Sequence, residues 1–554
     1  MVQVGLPLRK RYRELFKRRH EFSMANVVDR LAAVFGDRVA VILEEELDHS
    51  FLRGRQISYN QIQEFVNRLG NALLKLGVQR GDRVGIYTRN LVELPFCSFA
   101  AMKIGAVAIP LNNLLKAGEV NFILEDAQVK LLITDQQTFS QDFRSPDDLA
   151  GNPIMGFLND PSATPEGAVC LKTMMTEASP ELLPVALEPD DLAGIFYTSG
   201  TTGFPKGAKM TSKNLVTNNV QVPAFILGLL PKEMERKGMM AQPLSHIMGF
   251  ALFLFNLTLG QPAVILERFH PVQVLEAIER HQVTSFVGVP AMYAMMLEAG
   301  AEKYNLKSVR LWVSGSDEMP AQLRKKFQAM GQSRFFRGAG PAHFLEGYGQ
   351  AETSPISTMC LHLSRFPVGP GCIGWRLPGV QLQVVDAESR AVKPGEVGEL
   401  LVKGDHVMPG YWKNRGEAGE KIFTDDGWFH TGDMVRQGKW REFYLVDRKK
   451  DVIKHGGYSV FSKEVEEKIA THPQVEDAAL VGIPDETKGQ VPVVFVCLKP
   501  GASCTPEELC TWCREHLADY KTPREVIIIE EMPRGITLKT DKKALRARYL
   551  RSRQ

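Results

Sequence analysis

Three times along this chain an amphipathic helical segment is followed by a short apolar run bounded by turn residues, and that recurrence restricts the folds open to it. Gln61 to Gly77 carries Ile62, Phe65, Val66, Leu69, Leu73 and Leu74 at helical spacing, and Arg83-Val84-Gly85-Ile86-Tyr87 then reads as a strand. Leu94 to Lys103 is followed by Ala106 to Pro110, and Pro271 to His281 by Ser285 to Pro290. Helices alternating with short β-rich segments predict a layered α/β architecture. With 554 residues the chain is several times a typical domain, so more than one core is expected. Thr138 to Gly167, rich in Asp, Pro, Gly and Ser, reads as irregular surface.

Several function classes drop out early. Lys and Arg number 67 against 64 Asp and Glu, and the net charge of +3 is too small to favour nucleic acid. Eight cysteines in so long a chain do not make a disulfide scaffold. Cys510 and Cys513 have the C-x-x-C spacing of metal and redox sites, but no second ligand pair accompanies them, and packing is favoured on one helix capped by Thr505 and Glu508, with Leu509, Trp512, Cys513 and Leu517 as its apolar face. Ile247 to Leu266 is uncharged and long enough to span a bilayer. Asn256, Thr258 and the break Gly260-Gln261-Pro262 divide it instead into a buried helix and a strand from Ala263 to Leu266. The first residues lack the apolar region of a signal peptide. They are basic, with Arg9, Lys10, Arg11, Arg13, Lys17, Arg18 and Arg19 around an apolar stripe of Leu8, Tyr12, Leu15 and Phe16. Such an extension either packs on its own protein or rests on an anionic membrane surface.

The run from Tyr197 to Gly207, Tyr-Thr-Ser-Gly-Thr-Thr-Gly-Phe-Pro-Lys-Gly, has what a bound polyphosphate needs. Gly200, Gly203 and Gly207 permit close backbone approach, Thr198, Ser199, Thr201 and Thr202 supply hydroxyls, and Lys206 adds a point charge. The spacing is not that of the Walker loop. Ala193 to Tyr197 reads as a buried strand and Ala208 to Met210 as extended, with a helix starting at Thr211 or Ser212, so the loop joins two strands. At every position this run resembles the signature loop of the adenylate-forming superfamily, which includes acyl-CoA synthetases, luciferases and peptide-synthetase adenylation domains.

Further stretches resemble that superfamily in order and separation. Glu346-Gly347-Tyr348-Gly349-Gln350-Ala351-Glu352-Thr353 is similar to its second signature. The similarity implies that Gly347 and Tyr348 line the adenine site and that Glu352 holds Mg2+, a hard cation that suits a carboxylate. Ser314-Gly315-Ser316-Asp317 resembles the segment passing the adenine, which places Gly315 and Ser316 there. Asp433 in Thr431-Gly432-Asp433 and Arg448 in Asp447-Arg448-Lys449-Lys450-Asp451 resemble the ribose contacts. By the same resemblance Lys450 is a hinge and Gly457 lines the approach of a thiol. Lys539, in Pro533 to Lys539, is the lysine that reaches the carboxylate and α-phosphate as charge builds on them. His246, Gly288 and Gly349 are placed at the acyl pocket.

The resemblance implies an α/β fold: a large N-terminal module of αβαβα type with a β-barrel-like subdomain, and a small mobile C-terminal α+β domain. It implies a basic extension over 1–23, an AMP-binding domain over 24–449 and a C-terminal domain over 450–554. The implied reaction is ATP-dependent, AMP-forming ligation of a carboxylic acid to coenzyme A, with ATP, Mg2+ and coenzyme A required. A medium- or long-chain fatty acid is favoured as substrate because Gly349 replaces the tryptophan of acetyl-specific relatives; an aryl or alicyclic acid is the alternative. The expected setting is cytoplasmic, with the basic N-terminus as a peripheral contact at the inner membrane surface. Two departures stand out. Ala351 replaces the usual Thr or Ser, and Leu538 replaces the usual Gly before the catalytic lysine, so a degenerate adenylate-binding regulator is a reading from another class. A luciferase-like oxygenase is a third.

Overall fold

In the computed structural model, which describes residues 17–49, 51–198, 205–223, 236–333, 340–362, 368–414, 422–485, 487–534 and 540–553, the segment near Gln61 forms a helix over Tyr59–Lys75. Ser58 sets its start by accepting from the Gln61 N–H, while the Gln61 side chain accepts from the Ser58 N–H. Ile62, Phe65, Val66, Leu69 and Leu73 are buried, whereas Leu74 is 45% exposed and lies off the stripe. The remaining alternation is also found: Arg83–Tyr87, Glu93–Lys103, Val107–Pro110, Pro271–His281 and Ser285–Gly288.

The chain divides into two compact units. The first comprises Met1–Pro367, Arg376–Gln381 and Lys403–Gly427; the second comprises Val368–Trp375, Leu382–Val402 and Trp428–Gln554.

In the first unit, seven strands pair in the order Val169–Cys170, Ile154–Phe157, Leu131–Thr134, Arg83–Tyr87, Val107–Pro110, Leu192–Thr198, Lys206–Thr211, all parallel except the last pair. Ile154–Phe157 and the helix Gln136–Asp142 correct the expectation of irregular surface over Thr138 to Gly167. A few apolar residues suffice for a buried parallel strand, and the Asn, Asp and Pro residues that made the stretch read as loop form the turns around it. Eight more strands pair in the order Thr358–His362, His343–Tyr348, Leu311–Gly315, Ser285–Gly288, Gly238–Met240, Ala263–Ile265, Val39–His49, Leu52–Ser58.

Helices cover these sheets and separate them. Val120, Ile123 and Phe139 pack on the seven-stranded sheet, and Leu275, Ile278, Tyr293 and Phe327 on the other. Between the sheets lie Glu93–Lys103 and Ile247–Thr258, joined through Phe96 with Phe253 and Phe99 with Phe250, while Phe196 of the first sheet also meets Phe250. The result is the expected five-layer αβαβα order. A helix between two sheets has almost no solvent face, which explains why the run from Ile247 is apolar all round. That run is a helix followed by the strand Ala263–Ile265, and among the described residues no helix is long and apolar enough to cross a membrane.

In the second unit, Phe429–Gln437 pairs antiparallel with Val397–Lys403 and with Phe443–Arg448. A separate sheet contains Ile453–His455, Tyr458–Val460, Val475–Asp485, Gly489–Leu498 and Glu525–Ile528. Alternate residues serve its two faces: Leu480, Val494 and Val496 meet the helices Ser462–Ile469 and Pro506–His516, while Val481, Val493 and Phe495 meet Lys542–Ser552. Thr505 and Glu508 form the expected capping box, and Leu509 and Cys513 are core residues. Burial pushes the Cys513 thiol up to about 12, which suits packing rather than reactivity. Lys450 lies in the short turn Lys449–Asp451 of this unit.

Candidate active site

Leu192–Thr198 and Lys206–Thr211 form an antiparallel hairpin with Thr198 opposite Lys206, so the proposed cradle does join two strands. Ser199, Gly200, Thr201, Thr202 and Gly203 lie outside the described residues. The base of the hairpin is well braced. Thr198 Oγ1 donates to Lys206 O at 3.3 Å, and Tyr197 Oη donates to Asp126 Oδ2 at 2.7 Å. A Cβ on Gly207 would stand 2.7 Å from Ile195 Cγ2, so glycine is required there by packing.

The outer strand of the hairpin recruits a residue that motif reading missed. Lys209 N donates to Gly410 O at 3.2 Å, Ala208 bridges Tyr411, and Trp412 Nε1 donates to Asp126 O at 3.0 Å. This edge pairing sets Lys206 Nζ 5.7 Å from the centre of the Tyr411 ring, and Tyr411 Oη donates to Glu352 Oε1 at 2.6 Å. The cradle lysine and the carboxylate therefore share one tyrosine. An aromatic pair after Pro409-Gly410 reads locally as the start of a core element, and nothing short-range reports its partner.

Glu352 sits in the one-turn helix Ala351–Thr353, whose start is held by Gln350 N donating to Thr353 Oγ1 at 3.0 Å. Asn218 Nδ2 donates to Ile356 O at 2.7 Å, and Met408 N to Glu352 O at 2.9 Å. The second carboxylate oxygen of Glu352 has no hydrogen bond among the described residues. A half-buried carboxylate with one oxygen fixed and the other unengaged fits Mg2+, which takes one or two carboxylates and completes its shell with phosphates and water. A Cβ on Gly349 would overlap the Pro355 carbonyl oxygen, so any side chain there displaces the turn carrying Glu352.

Beside this turn, three parallel strands end together. Gly288 is opposite Ser314, and Gly315 is opposite Gly347, which leads into Tyr348. Carboxyl ends of parallel strands are where open α/β sheets bind ligands. A Cβ on Gly315 would lie 3.3 Å from Gly347 O and 3.7 Å from Met248 Cε. Met248 belongs to the helix Ile247–Thr258, whose first turn is capped by His246 Nδ1 accepting from Met248 N at 3.3 Å. Ser316 follows in the left-handed region, with φ 71°. Gly288 and Gly249 have packing reasons of their own: a Cβ at 288 would stand 2.7 Å from Phe286 Cε1, and one at 249 would overlap the Pro243 carbonyl oxygen.

The segment leading to Tyr411 is anchored by His406, which is 1% exposed, with Nε2 3.1 Å from Ser357 Oγ. Asn214 Nδ2 donates to Asp405 O and Val407 O at 2.9 and 2.8 Å. Burial pushes the His406 imidazole down to about 4. Between that value and the unfolded value of about 6.5 the unfolded chain binds a proton that the folded chain refuses, so stability is lost as pH falls through this window. The loss expected from His406 alone between pH 7 and pH 4 is on the order of 3 kcal/mol. His406→Asn should flatten that part of a denaturant-derived stability curve; an unchanged slope would remove His406 as its source.

In the second unit, Asp433 and Arg448 are paired across neighbouring strands, Arg448 Nε lying 3.6 Å from Asp433 Oδ1. Asp433 is buried and the Arg448 side chain is half exposed. Gly456 and Gly457 form the two-residue turn between Ile453–His455 and Tyr458–Val460, with φ 57° and 84°. Such a turn needs positive φ at both positions. A Cβ on Gly457 would meet nothing within 4 Å, so the demand is conformational. Lys539 lies outside the described residues.

Comparison with known proteins agrees with this geometry. Residues 28–412 match the AMP-binding enzyme family, and 464–539 match the AMP-binding enzyme C-terminal domain. The chain is 29% identical over 549 residues to a long-chain-fatty-acid–CoA ligase of Bacillus subtilis, covering 93% of each. It is 31% identical over 500 residues to 4-coumarate–CoA ligase 1 of Petroselinum crispum, covering 89% of each. Among solved structures, ATP-bound MatB from Rhodopseudomonas palustris superposes with a TM-score of 0.80 at 28% identity, covering 95% of this chain and 99% of that one. The small molecules such a site takes are ATP with Mg2+ and coenzyme A. With both family models matched in order, and the Thr198–Lys206 hairpin, the strand ends and the carboxylate turn all within the first of them, the chain belongs to the AMP-binding enzymes and is an AMP-forming acyl-CoA ligase.

Proposed function

We propose that the acid activated by this ligase is a medium- or long-chain fatty acid. The observation that carries the reading is the first turn of the helix Ile247–Thr258, where the partly exposed Met248 reaches the edge shared by Gly315 and Gly347 and no charged side chain accompanies it. It offers an apolar tail contact and offers a second carboxylate no cation. The fatty-acid ligase relative covering 93% of this chain supports the same choice; the 4-coumarate relatives support an aryl acid as the second reading. A panel of fatty, aryl and dicarboxylic acids with ATP and coenzyme A, scored by AMP and thioester, separates them. We expect kcat/KM for fatty acids to exceed that for 4-coumarate by roughly tenfold or more, the scale set by a few methylene contacts. An aryl acid ahead of every fatty acid would overturn the choice.

In this reading the hairpin loop from Thr198 to Lys206, with Ser199, Gly200, Thr201, Thr202 and Gly203, holds the β- and γ-phosphates, and Glu352 holds Mg2+ in the orientation set by Tyr411. Gly315, Ser316, Gly347 and Tyr348 flank the adenine. Asp433 and Arg448 hold the ribose. His246, Gly288 and Gly349 shape the acyl end, the last two by keeping backbone close to its neighbours. ATP supplies the adenylyl group that makes the carboxyl carbon open to a thiol, and Gly457 leaves the thiol room. Lys450 is the hinge between an AMP-binding part ending at 449 and a C-terminal domain over 450–554 that carries Lys539. The enzyme works in the cytoplasm, with peripheral contact at the inner membrane surface; most of its basic residues 1–23 lie outside the described residues.

Ala351 offers a direct check on the phosphate side. Restoring a hydroxyl with Ala351→Thr should lower KM for ATP about fivefold, the equivalent of one net hydrogen bond of about 1 kcal/mol. An unchanged KM for ATP would place residue 351 away from the phosphates.

A further inference from the structure

The second unit presents an exposed pair of tryptophans that the ligase chemistry leaves unused. Trp440 is 72% exposed and Trp375 39% exposed, and Trp375 Nε1 donates to Trp440 O at 3.1 Å. Trp440 stands at the tip of the turn between Phe429–Gln437 and Phe443–Arg448.

Its exposure is built in. Gly438 N donates to Glu442 O at 2.7 Å and Arg441 N to Gly438 O at 3.2 Å. The Glu442 side chain, 3% exposed, is drawn under the turn, where its carboxylate accepts from Trp440 N at 2.8 Å and from Tyr444 Oη at 3.1 Å. A Cβ on Gly438 would overlap that carboxylate, so only glycine leaves room for it. Arg441 is held at φ 67°, a conformation that costs a non-glycine residue of order 1 kcal/mol or more. A turn that spends strain and a buried acid to hold its backbone, and still leaves the indole in water, is organised to present that indole.

Its two neighbours on the turn are cations. Lys439 and Arg441 flank Trp440 and are both exposed, no carboxylate among the described residues pairs with either, and the acid of the turn, Glu442, is buried. Size separates the two kinds of partner such a patch could meet. The two rings together offer about 300 Å2, given 150–250 Å2 for a whole aromatic side chain. A stable protein interface needs about 800 Å2 from each side. A bilayer needs no such area: indoles favour the headgroup level, and each nearby cation adds to attraction by anionic lipid. We infer that the Trp375–Trp440 patch, with Lys439 and Arg441, is a peripheral docking site for an anionic bilayer surface.

The inference is independent of which acid is ligated. It is tested with the full-length protein and vesicles of phosphatidylglycerol with phosphatidylcholine, against phosphatidylcholine alone, read by co-sedimentation and by quenching of tryptophan emission with brominated lipid. Wild type should partition onto the anionic vesicles. Trp440→Ser should weaken that partition about tenfold, and Lys439→Ser with Arg441→Ser about thirtyfold, from a cation contribution of roughly a factor of five each. Ligase activity on a water-soluble acid, unchanged in both variants, reports that they are folded. Removal of residues 1–16 should leave the Trp440-dependent quenching in place. Equal partition of wild type and Trp440→Ser, or loss of all binding on removing 1–16 with Trp440→Ser inert, would overturn the proposal. So would loss of a wild-type dimer in Trp440→Ser without any change on vesicles, which would assign the patch to a second copy of the chain.

Discussion

Glu352→Gln is expected to lower kcat/KM for ATP in the adenylation step on the order of a hundredfold, with part of the loss recovered at high Mg2+. The substitution is chosen because it removes charge and little else. A glutamine Oε1 still accepts from Tyr411 Oη, which lies 2.6 Å from the corresponding carboxylate oxygen, so the side chain keeps its anchor. What is lost is the anionic partner of a divalent cation, and metal stabilisation of phosphoryl charge is worth several kcal/mol. Tyr411→Phe is the complementary change: charge stays, the anchor goes, and a loss of about tenfold is expected from one hydrogen bond to a charged group. Pyrophosphate exchange with a saturating acid measures both. If Glu352→Gln stays within about threefold of wild type at limiting Mg2+, the carboxylate is not a metal ligand.

Lys539→Ala is expected to cost adenylation roughly a thousandfold while leaving thioester formation from supplied acyl-adenylate within about threefold of wild type. Negative charge builds on the acid and α-phosphate oxygens only during the first half-reaction, and a cation placed there contributes most where charge develops. Once the adenylate exists, the thiol attacks carbon and AMP leaves with charge already delocalised on phosphate. The split between the two half-reactions separates this role from a merely structural one, because a misfolded C-terminal domain loses both. Leu538 makes the measurement more informative: the chain reaches Lys539 through a residue without glycine's conformational freedom. Comparable loss in both half-reactions would take the adenylation role away from Lys539.

The sequence by itself determined the elements whose causes are local. Ser58 with Gln61, Thr211 with Asn214 and Thr505 with Glu508 start their helices through contacts three residues apart. The apolar run Ile247 to Leu266 divides at Gly260-Gln261-Pro262 because glycine and proline punctuate the backbone wherever they stand. The two-strand context of the loop between Thr198 and Lys206, the layered fold and the reaction class were legible for the same reason: short stretches carry them. Leu74, the strand Ile154–Phe157 and the helix Gln136–Asp142 were not, because periodicity over a few residues is outweighed by what packs beside them.

Only the tertiary structure decided how the site is put together. Tyr411 stands between Lys206 and Glu352 because Gly410 and Tyr411 pair with the open edge of the hairpin strand Lys206–Thr211, a contact made across more than a third of the chain. Gly349 looks in sequence like room for an acyl group, yet its Cβ direction runs into the Pro355 carbonyl, so its first duty is to the turn that carries Glu352. Gly288, Ser314 to Ser316 and Gly347 become neighbours through the register of three parallel strands. The Tyr411 pairing and the strand register depend on backbone hydrogen bonds between distant segments. Such bonds take the same form for almost any side chain, so they leave no signature in the residues they bring together.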